Sequence, residues 1–386
     1  MLRHHHEREF RGLLTEEYAF SMIKKVALVV GARPNFMKAA PLMRELLRHK
    51  NTLQPWLIHT GQHYDRALSQ LFFEELGIPE PDLYLGVGSG THAEQTARIM
   101  MEIEGPLQAQ APDLVVVFGD INSTMAAAIV AKKLNLKLAH VEAGLRSFDE
   151  TMPEEINRIV TDRLADYLFV SEQSGLDHLA AEGVPAKKIY FTGNIMIDSL
   201  VSNLTLARNN DILDRLELTS GEYIAMTMHR PSNVDDRESL RDLMRCIGDI
   251  SKRLPIVFPC HPRTRKRFEE FGLTDGGSGN RVMLIDPVGY LEFLKLQSEA
   301  RLVLTDSGGI QEETTYLGIP CVTMRENTER PATVDLGTNV ICGTDPAAIT
   351  AAVDSVFAGK GKKGRIPDLW DGHTAERIVA ILHEVL

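Results

Sequence analysis

The stretch LVVVFGDINSTMAAAIVAKKLNLKLAHVEAG, residues 114–144, holds a complete unit of structure. Its opening apolar run, within DLVVVFG (113–119), is too short for a helix and too continuous for a half-exposed strand, so it reads as a strand buried on both faces. Gly119-Asp120 ends that strand, and Thr124 to Leu134 carries helical spacing. A second apolar run, LKLAHVE (136–142), then ends on an acid. Two such strands joined through a helix belong to a parallel sheet, with Asp120 and Glu142 leaving adjacent strands at the same edge.

The same alternation extends in both directions. KKVALVV (24–30), LQPWLIHT (53–60), DYLFVS (166–171) and KIYFTG (188–193) read as further strands, with a helix from Met37 to His49. The pattern then restarts with EYIAMTMH (222–229), LPIVFPCH (254–261), RVMLID (281–286), RLVLTD (301–306) and IPCVTMR (319–325), after LTLARNNDILDRLEL (204–218) as a helical connector. The halves echo one another. VALVVGARPNFMKAAPLMREL (26–46) and YIAMTMHRPSNVDDRESLRDLM (223–244) each run strand, Arg-Pro turn, helix, and LVLTDSGGIQEETTYLGIPCVTMREN (302–327) repeats the unit quoted above.

The expectation is an α/β protein of two Rossmann-like domains with a ligand cleft between them, where the strand C-termini converge. The divisions expected are a disordered leader at 1–21, a first domain at 22–195, a second at 196–370, and a terminal helix at 371–386 packing back on the first. A chain of 386 residues is long enough for two cores.

With 42 Lys and Arg against 53 Asp and Glu, the net charge of −11 argues against a nucleic-acid or anionic-membrane partner. A phosphate-bearing ligand would need a local cluster of cations. The four cysteines lack any C-x-x-C pair, so free thiols in a reducing cytoplasm are expected and no metal site is read. His4-His5-His6 sits in a polar leader and is read as tail. No apolar run approaches the ~20 residues of a membrane span.

Two candidate phosphate turns differ in context. GVGSGT (86–91) resembles a dinucleotide loop, but its third glycine falls one place early and only DLYL precedes it. No G-x-x-x-x-G-K-[ST] is present. Ser307-Gly308-Gly309, by contrast, follows a strand and opens a helix, where bare N–H groups attract an anion. Glu313, one turn on, can accept hydrogen bonds from a ribose; the plainer reading of this turn is a tight loop with a serine cap. Arg33 and Lys38 of GARPNFMK supply a fork and a point charge suited to a diphosphate. His229-Arg230, His261 and Arg330 lie in loops after strands of the second half. Asp120, Glu142 and Glu154 gather in the first half, a set able to remove a proton from carbon and return one. For Glu154 a helix N-terminal charge is the plainer reading, and for Asp120 a cap over Asn122-Ser123-Thr124.

Together GARPNFMKAAPL, FGDINST, HVEAGLRS, MPEEINR, LTDSGGIQEE and MRENTERP resemble, in this order, the non-hydrolysing UDP-N-acetylglucosamine 2-epimerases. The resemblance implies the GT-B fold, a homodimer, no nicotinamide or other cofactor, and interconversion of UDP-GlcNAc and UDP-ManNAc for surface polysaccharide precursors. It implies that UDP leaves as the C2 proton is removed, giving 2-acetamidoglucal, and that re-addition inverts C2. Carried over by position, Asp120, Glu142, Glu154 and His229 become catalytic. Arg33, Lys38, Ser307, Gly308, Gly309, Glu313 and Arg330 become ligands of the nucleotide diphosphate, with Val288 and Phe293 near the uracil. Many bacterial members read His-Arg-Arg-Glu where this chain reads His229-Arg230-Pro231-Ser232-Asn233, and the loop from AGLRS to MPEE is short. Simple saturation without UDP-GlcNAc activation is therefore expected. Alternatives from the same residues are an epimerase of a related sugar such as UDP-2,3-diacetamido-glucuronate, a GT-B glycosyltransferase, or a catalytically silent binding protein.

Overall fold

A computed structural model describes residues 23–62, 76–273 and 280–386; the leader at 1–21 and the side chain of Arg33 lie outside the described part. The first seven strands are β1 (Lys24–Val30), β2 (Leu53–His59), β3 (Leu83–Tyr84), β4 (Leu114–Phe118), β5 (Lys137–Ala143), β6 (Tyr167–Val170) and β7 (Ile189–Phe191). They form one parallel sheet in the order β3-β2-β1-β4-β5-β6-β7. The next six, β8 (Ile224–Met226), β9 (Ile256–Pro259), β10 (Val282–Ile285), β11 (Leu302–Thr305), β12 (Cys321–Thr323) and β13 (Asn339–Ile341), form a second parallel sheet in the order β10-β9-β8-β11-β12-β13. Both orders reverse beside their first strand, between β1 and β4 and between β8 and β11, which opens the crevice that α/β sheets use for ligands. The architecture is the expected α/β pair of Rossmann-like sheets.

Two strands escape a reading by pattern. β3 is two residues long, and β13 lies in Asn339–Ile341, a run too brief to announce itself. The expected connector over 204–218 is corrected to two helices, Ile195–Arg208 and Ile212–Arg215. Asn194 starts the first by accepting from the Met196 N–H, and the Asn209-Asn210-Asp211 run interrupts helical continuity because such side chains compete for the backbone.

The last helix, Thr374–Val385, packs on helix Arg33–Arg48 of the first sheet. Ile378, Val379 and Leu382 share one buried cluster with Leu42, Met43 and Leu46. Asp198 accepts from the Thr374 and Ala375 N–H groups at 3.1 and 2.8 Å, capping the helix from outside, and Lys137 Nζ reaches the Val385 carbonyl at its far end. The four cysteines are free thiols. Among the described residues no helix is long and apolar enough to cross a membrane.

Register sets the site. Phe118 of β4 pairs with Val141 of β5, so Asp120 and Glu142 leave the sheet together. On its other side β5 loses register with β6 between Val141 and Ala143, and Glu142 sits in that irregularity at φ +76°. A bulge re-aims a side chain, and a non-glycine residue at positive φ stores strain that the surroundings must hold.

Candidate active site

Glu142 is buried between two cations. Lys38, one turn into helix Arg33–Arg48, pairs with its Oε2, and Arg330 Nη2 lies 2.8 Å from its Oε1. Gly119 makes room: a Cβ there would stand 2.6 Å from Lys38 Nζ and 3.0 Å from Glu142 Oε2, and its φ of +58° suits glycine. Arg330 belongs to the second lobe, so this contact crosses the cleft.

Asp120 is more open. Its side chain, 23% exposed, meets Arg158 Nη1, while its carbonyl accepts from Asn157 Nδ2 at 2.8 Å. The helix that follows β4, Asn122–Lys133, has no side-chain cap, so Asp120 is not the cap that its position allowed. Glu155 takes the rest of Arg158 at 2.6 Å and also accepts from the Ser147 and Phe148 N–H groups, pinning the loop after β5. Burial opposes ionisation of Glu155, but those N–H groups and Arg158 outweigh it and hold its carboxyl below the usual range. Glu154 stands in the first turn of helix Pro153–Leu164, half-buried, with no hydrogen-bond or ion-pair partner among the described residues. Its position in the first turn is one the helix dipole favours.

Across the cleft, Ser307 is the N-cap residue of helix Gly308–Leu317, yet its side chain makes no cap bond, leaving the hydroxyl and the first helical N–H groups for a ligand. Gly308 is crowded, since a Cβ there would lie 2.7 Å from Glu329 Oε1; at Gly309 the nearest atom would be 3.8 Å away. Glu313 is buried and accepts from Tyr290 Oη at 3.0 Å and from Gln297 Nε2, which fixes its carboxylate. Val288 and Phe293 are half-buried at the margin of the apolar cluster that holds Tyr223, Val257, Leu296 and Val303.

Four participants escaped the sequence reading. Asp306 is wholly buried and accepts from the His229 and Arg230 N–H groups at 2.8 Å each and from Asn233 Nδ2 at 3.1 Å, with His229 Nδ1 3.1 Å from its second oxygen. Burial opposes its charge, but His229 and these N–H groups outweigh it and hold its carboxyl below the usual range. His229, 42% exposed, is thereby aimed from a fixed loop. Glu312, fully buried, lies 2.7 Å from Arg330 Nε and accepts from Asn194 Nδ2 at 2.8 Å. Burial first, and Glu142 nearby, raise its carboxyl against the pull of Arg330. Glu329 is the third carboxylate beside Arg330, held low by Arg330 and Arg325 despite burial. Arg158 is the fourth. Its signal was present in EEINR, where Glu155 and Arg158 are one turn apart.

Arg330 is thus a buried guanidinium among Glu142, Glu312 and Glu329, which raise its affinity for its proton above what burial would allow. Lys38 and Arg330 both bind Glu142, and the Ser307 turn presents the amides of a helix N-terminus. The GVGSGT loop has other work: Arg98 donates to the Val87 and Ser89 carbonyls at 3.0 and 2.9 Å, and Gln95 to Gly88 at 3.0 Å. Among the described residues no group of three or more His, Cys, Asp or Glu is placed to hold a metal ion.

Two parallel sheets with helices, meeting at such a cleft, define an α/β enzyme of the GT-B-like class. The model of the family described as UDP-N-acetylglucosamine 2-epimerase matches residues 45–383. The UDP-N-acetylglucosamine 2-epimerase of Methanocaldococcus jannaschii is 43% identical over 364 residues, covering 93% of this chain and 98% of its own. A UDP-2,3-diacetamido-2,3-dideoxy-D-glucuronate 2-epimerase of Pseudomonas aeruginosa is also 43% identical, over 88% of this chain and 93% of its own. The crystal structure of the M. jannaschii enzyme with UDP-GlcNAc and UDP aligns with a TM-score of 0.86 at 42% identity, covering 93% of this chain and 99% of that one. The chain belongs to the UDP-N-acetylglucosamine 2-epimerase family, whose members are isomerases.

Proposed function

We propose that the protein interconverts UDP-N-acetylglucosamine and UDP-N-acetylmannosamine at C2 without hydrolysing them. The reading is carried by Glu142, buried between Lys38 and Arg330 where two lobes meet, beside Asp120 at the neighbouring strand end. A carboxylate takes the C2 proton as the C1–O bond breaks and its electron pair leaves with UDP, forming the C1–C2 double bond of 2-acetamidoglucal. The leaving diphosphate gains charge, which Lys38, Arg330, His229 and the amides of the Ser307 turn offset. Return of a proton to the opposite face of C2, with re-addition of the UDP oxygen at C1, completes the inversion. Glu313 and the half-buried Val288 and Phe293 serve the ribose and uracil, Arg33 assists at the diphosphate, and Asp120, Glu142 and Glu154 share the proton transfers.

The relative solved with UDP-GlcNAc and UDP supports the UDP-GlcNAc reading. Equal identity to the diacetamido-glucuronate enzyme supports a second, in which the same chemistry acts on a sugar substituted at C3 and C6. One lobe at 22–195, a second at 196–370 and the closing helix at 371–386 are the units that would move about the cleft, in a homodimer. Incubation with UDP-GlcNAc alone in deuterated water tests the proposal. UDP-ManNAc carrying deuterium at C2 is expected. Retained C2–H would favour a glycosyltransferase lacking its acceptor, and free ManNAc would indicate a hydrolysing enzyme.

A further inference from the structure

Two residues before Glu142, on the same strand, His140 is wholly buried. Its Nδ1 lies 2.6 Å from Asp162 Oδ1 and its Nε2 lies 2.8 Å from the Gly119 carbonyl oxygen. A carbonyl oxygen only accepts, so Nε2 carries a proton. The second oxygen of Asp162 accepts from the Gly144 N–H at 3.0 Å and from Arg146 Nη1 at 2.7 Å, and Glu182 clamps the far side of Arg146 at 2.8 and 2.9 Å. Burial opposes ionisation of Asp162, yet His140 and Arg146 outweigh it and hold the carboxyl below the usual range. The ring is thus clamped on two sides, Nδ1 by the Asp162 carboxyl and Nε2 by the Gly119 carbonyl.

The two anchors of this pair have a functional address. Gly119 immediately precedes Asp120 and packs on the Lys38–Glu142 pair; Gly144 lies two residues beyond the strained Glu142. His140 ties the exit of β4, and Asp162 the exit of β5, to one point on helix Pro153–Leu164. The charged groups around the ring are Asp162 on that helix, Arg146 in the loop after β5, Glu182 at the end of helix Gln173–Ala181, and the Lys38–Glu142 pair past Gly119.

We propose that His140, buried and held between the Asp162 carboxyl and the Gly119 carbonyl, is a positioning residue that sets Asp120 and Glu142 for proton transfer at the sugar. The inference rests on the epimerase reading. A shift of one ångström in a reacting group can cost about 100-fold in rate. In the full chain, His140→Ala is expected to lower kcat for UDP-GlcNAc epimerisation about 100-fold, with KM and UDP affinity within threefold of the unsubstituted enzyme. His140→Gln, whose amide N–H can reach the Gly119 carbonyl, is expected to regain about tenfold of that loss. A kcat within threefold of native for the alanine variant, a matching loss of UDP affinity, or a glutamine variant no better than alanine would overturn the proposal. Independently of the folding of the alanine variant, ring-¹⁵N histidine NMR on the unsubstituted protein provides a second arm. A protonated Nε2 at His140, bonded to the Gly119 carbonyl, is expected; an Nε2 without a proton would overturn the proposal. An unsubstituted enzyme that exchanges no C2 proton would retire the epimerase reading instead, with the Nε2 proton still observed.

Discussion

The turns after β4 and β11 occupy the same place in their two sheets, each following the fourth strand beside the crevice, and each carries an aspartate. The first leaves Asp120 at the rim with a guanidinium beside one oxygen. The second buries Asp306 under two backbone N–H groups, an asparagine amide and a histidine. The donors around Asp306 hold it as an anion, whereas the Asp120 carboxylate has Arg158 as its one side-chain partner among the described residues. On the proposed function, the same fold and residue type thus yield a reacting group on one side and a scaffold on the other.

Substitution at the first turn should have the largest effect. Asp120→Asn and Glu142→Gln are each expected to lower C2 deuterium exchange by about 100- to 10,000-fold, the range for loss of a general acid or base, with UDP affinity by calorimetry little changed. Full exchange in Asp120→Asn would make the two turns equivalent scaffolds and dissolve the contrast. Asp306→Asn should act mainly through stability, costing about 1–3 kcal/mol in urea unfolding, because a neutral amide oxygen is a weaker acceptor for the same buried donors.

Acid sharpens the same contrast. The folded-state carboxyl of Asp306 is held below its unfolded value, so its contribution to stability is present above about pH 4 and is lost as pH falls toward the folded value. The native protein should therefore lose unfolding free energy faster than Asp306→Asn as the pH falls below about 4. Parallel losses in the two proteins would show that Asp306 does not carry that part of the acid sensitivity.

Much of this contrast was readable without coordinates. Alternating apolar runs and helical spacing gave both parallel sheets, since strands buried on two faces announce themselves by composition. Strand ends located Asp120, Glu142 and the Ser307 turn for the same reason. What stayed hidden was pairing over long separations. Glu312 reads as a helix charge until Arg330 and Asn194 are seen against it, and Asp306 reads as a turn residue until the His229 loop folds onto it. The positive φ of Glu142 is equally invisible, because the bulge depends on how β5 meets β6.

The smallest predicted effects separate two adjacent glycines of the second turn. Both appear in the sequence as one anion-binding pair, yet a Cβ at Gly308 would meet Glu329 Oε1 at 2.7 Å, whereas at Gly309 nothing approaches closer than the Met196 methyl at 3.8 Å. Glu329 cannot retreat freely, because Arg325 Nη2 holds its other oxygen at 2.8 Å. Gly308→Ala should therefore push the helix start or Glu329 aside and weaken UDP binding about tenfold, roughly 1.4 kcal/mol. Gly309→Ala should change UDP affinity less than twofold, because the added methyl makes only ordinary van der Waals contact in the ligand-free protein. Calorimetry on the two variants discriminates sharply. If Gly309→Ala proves the more damaging, the diphosphate itself fills the space above Gly309, and close backbone approach to the ligand, rather than packing on Glu329, is the reason the second turn carries two glycines where the first carries one.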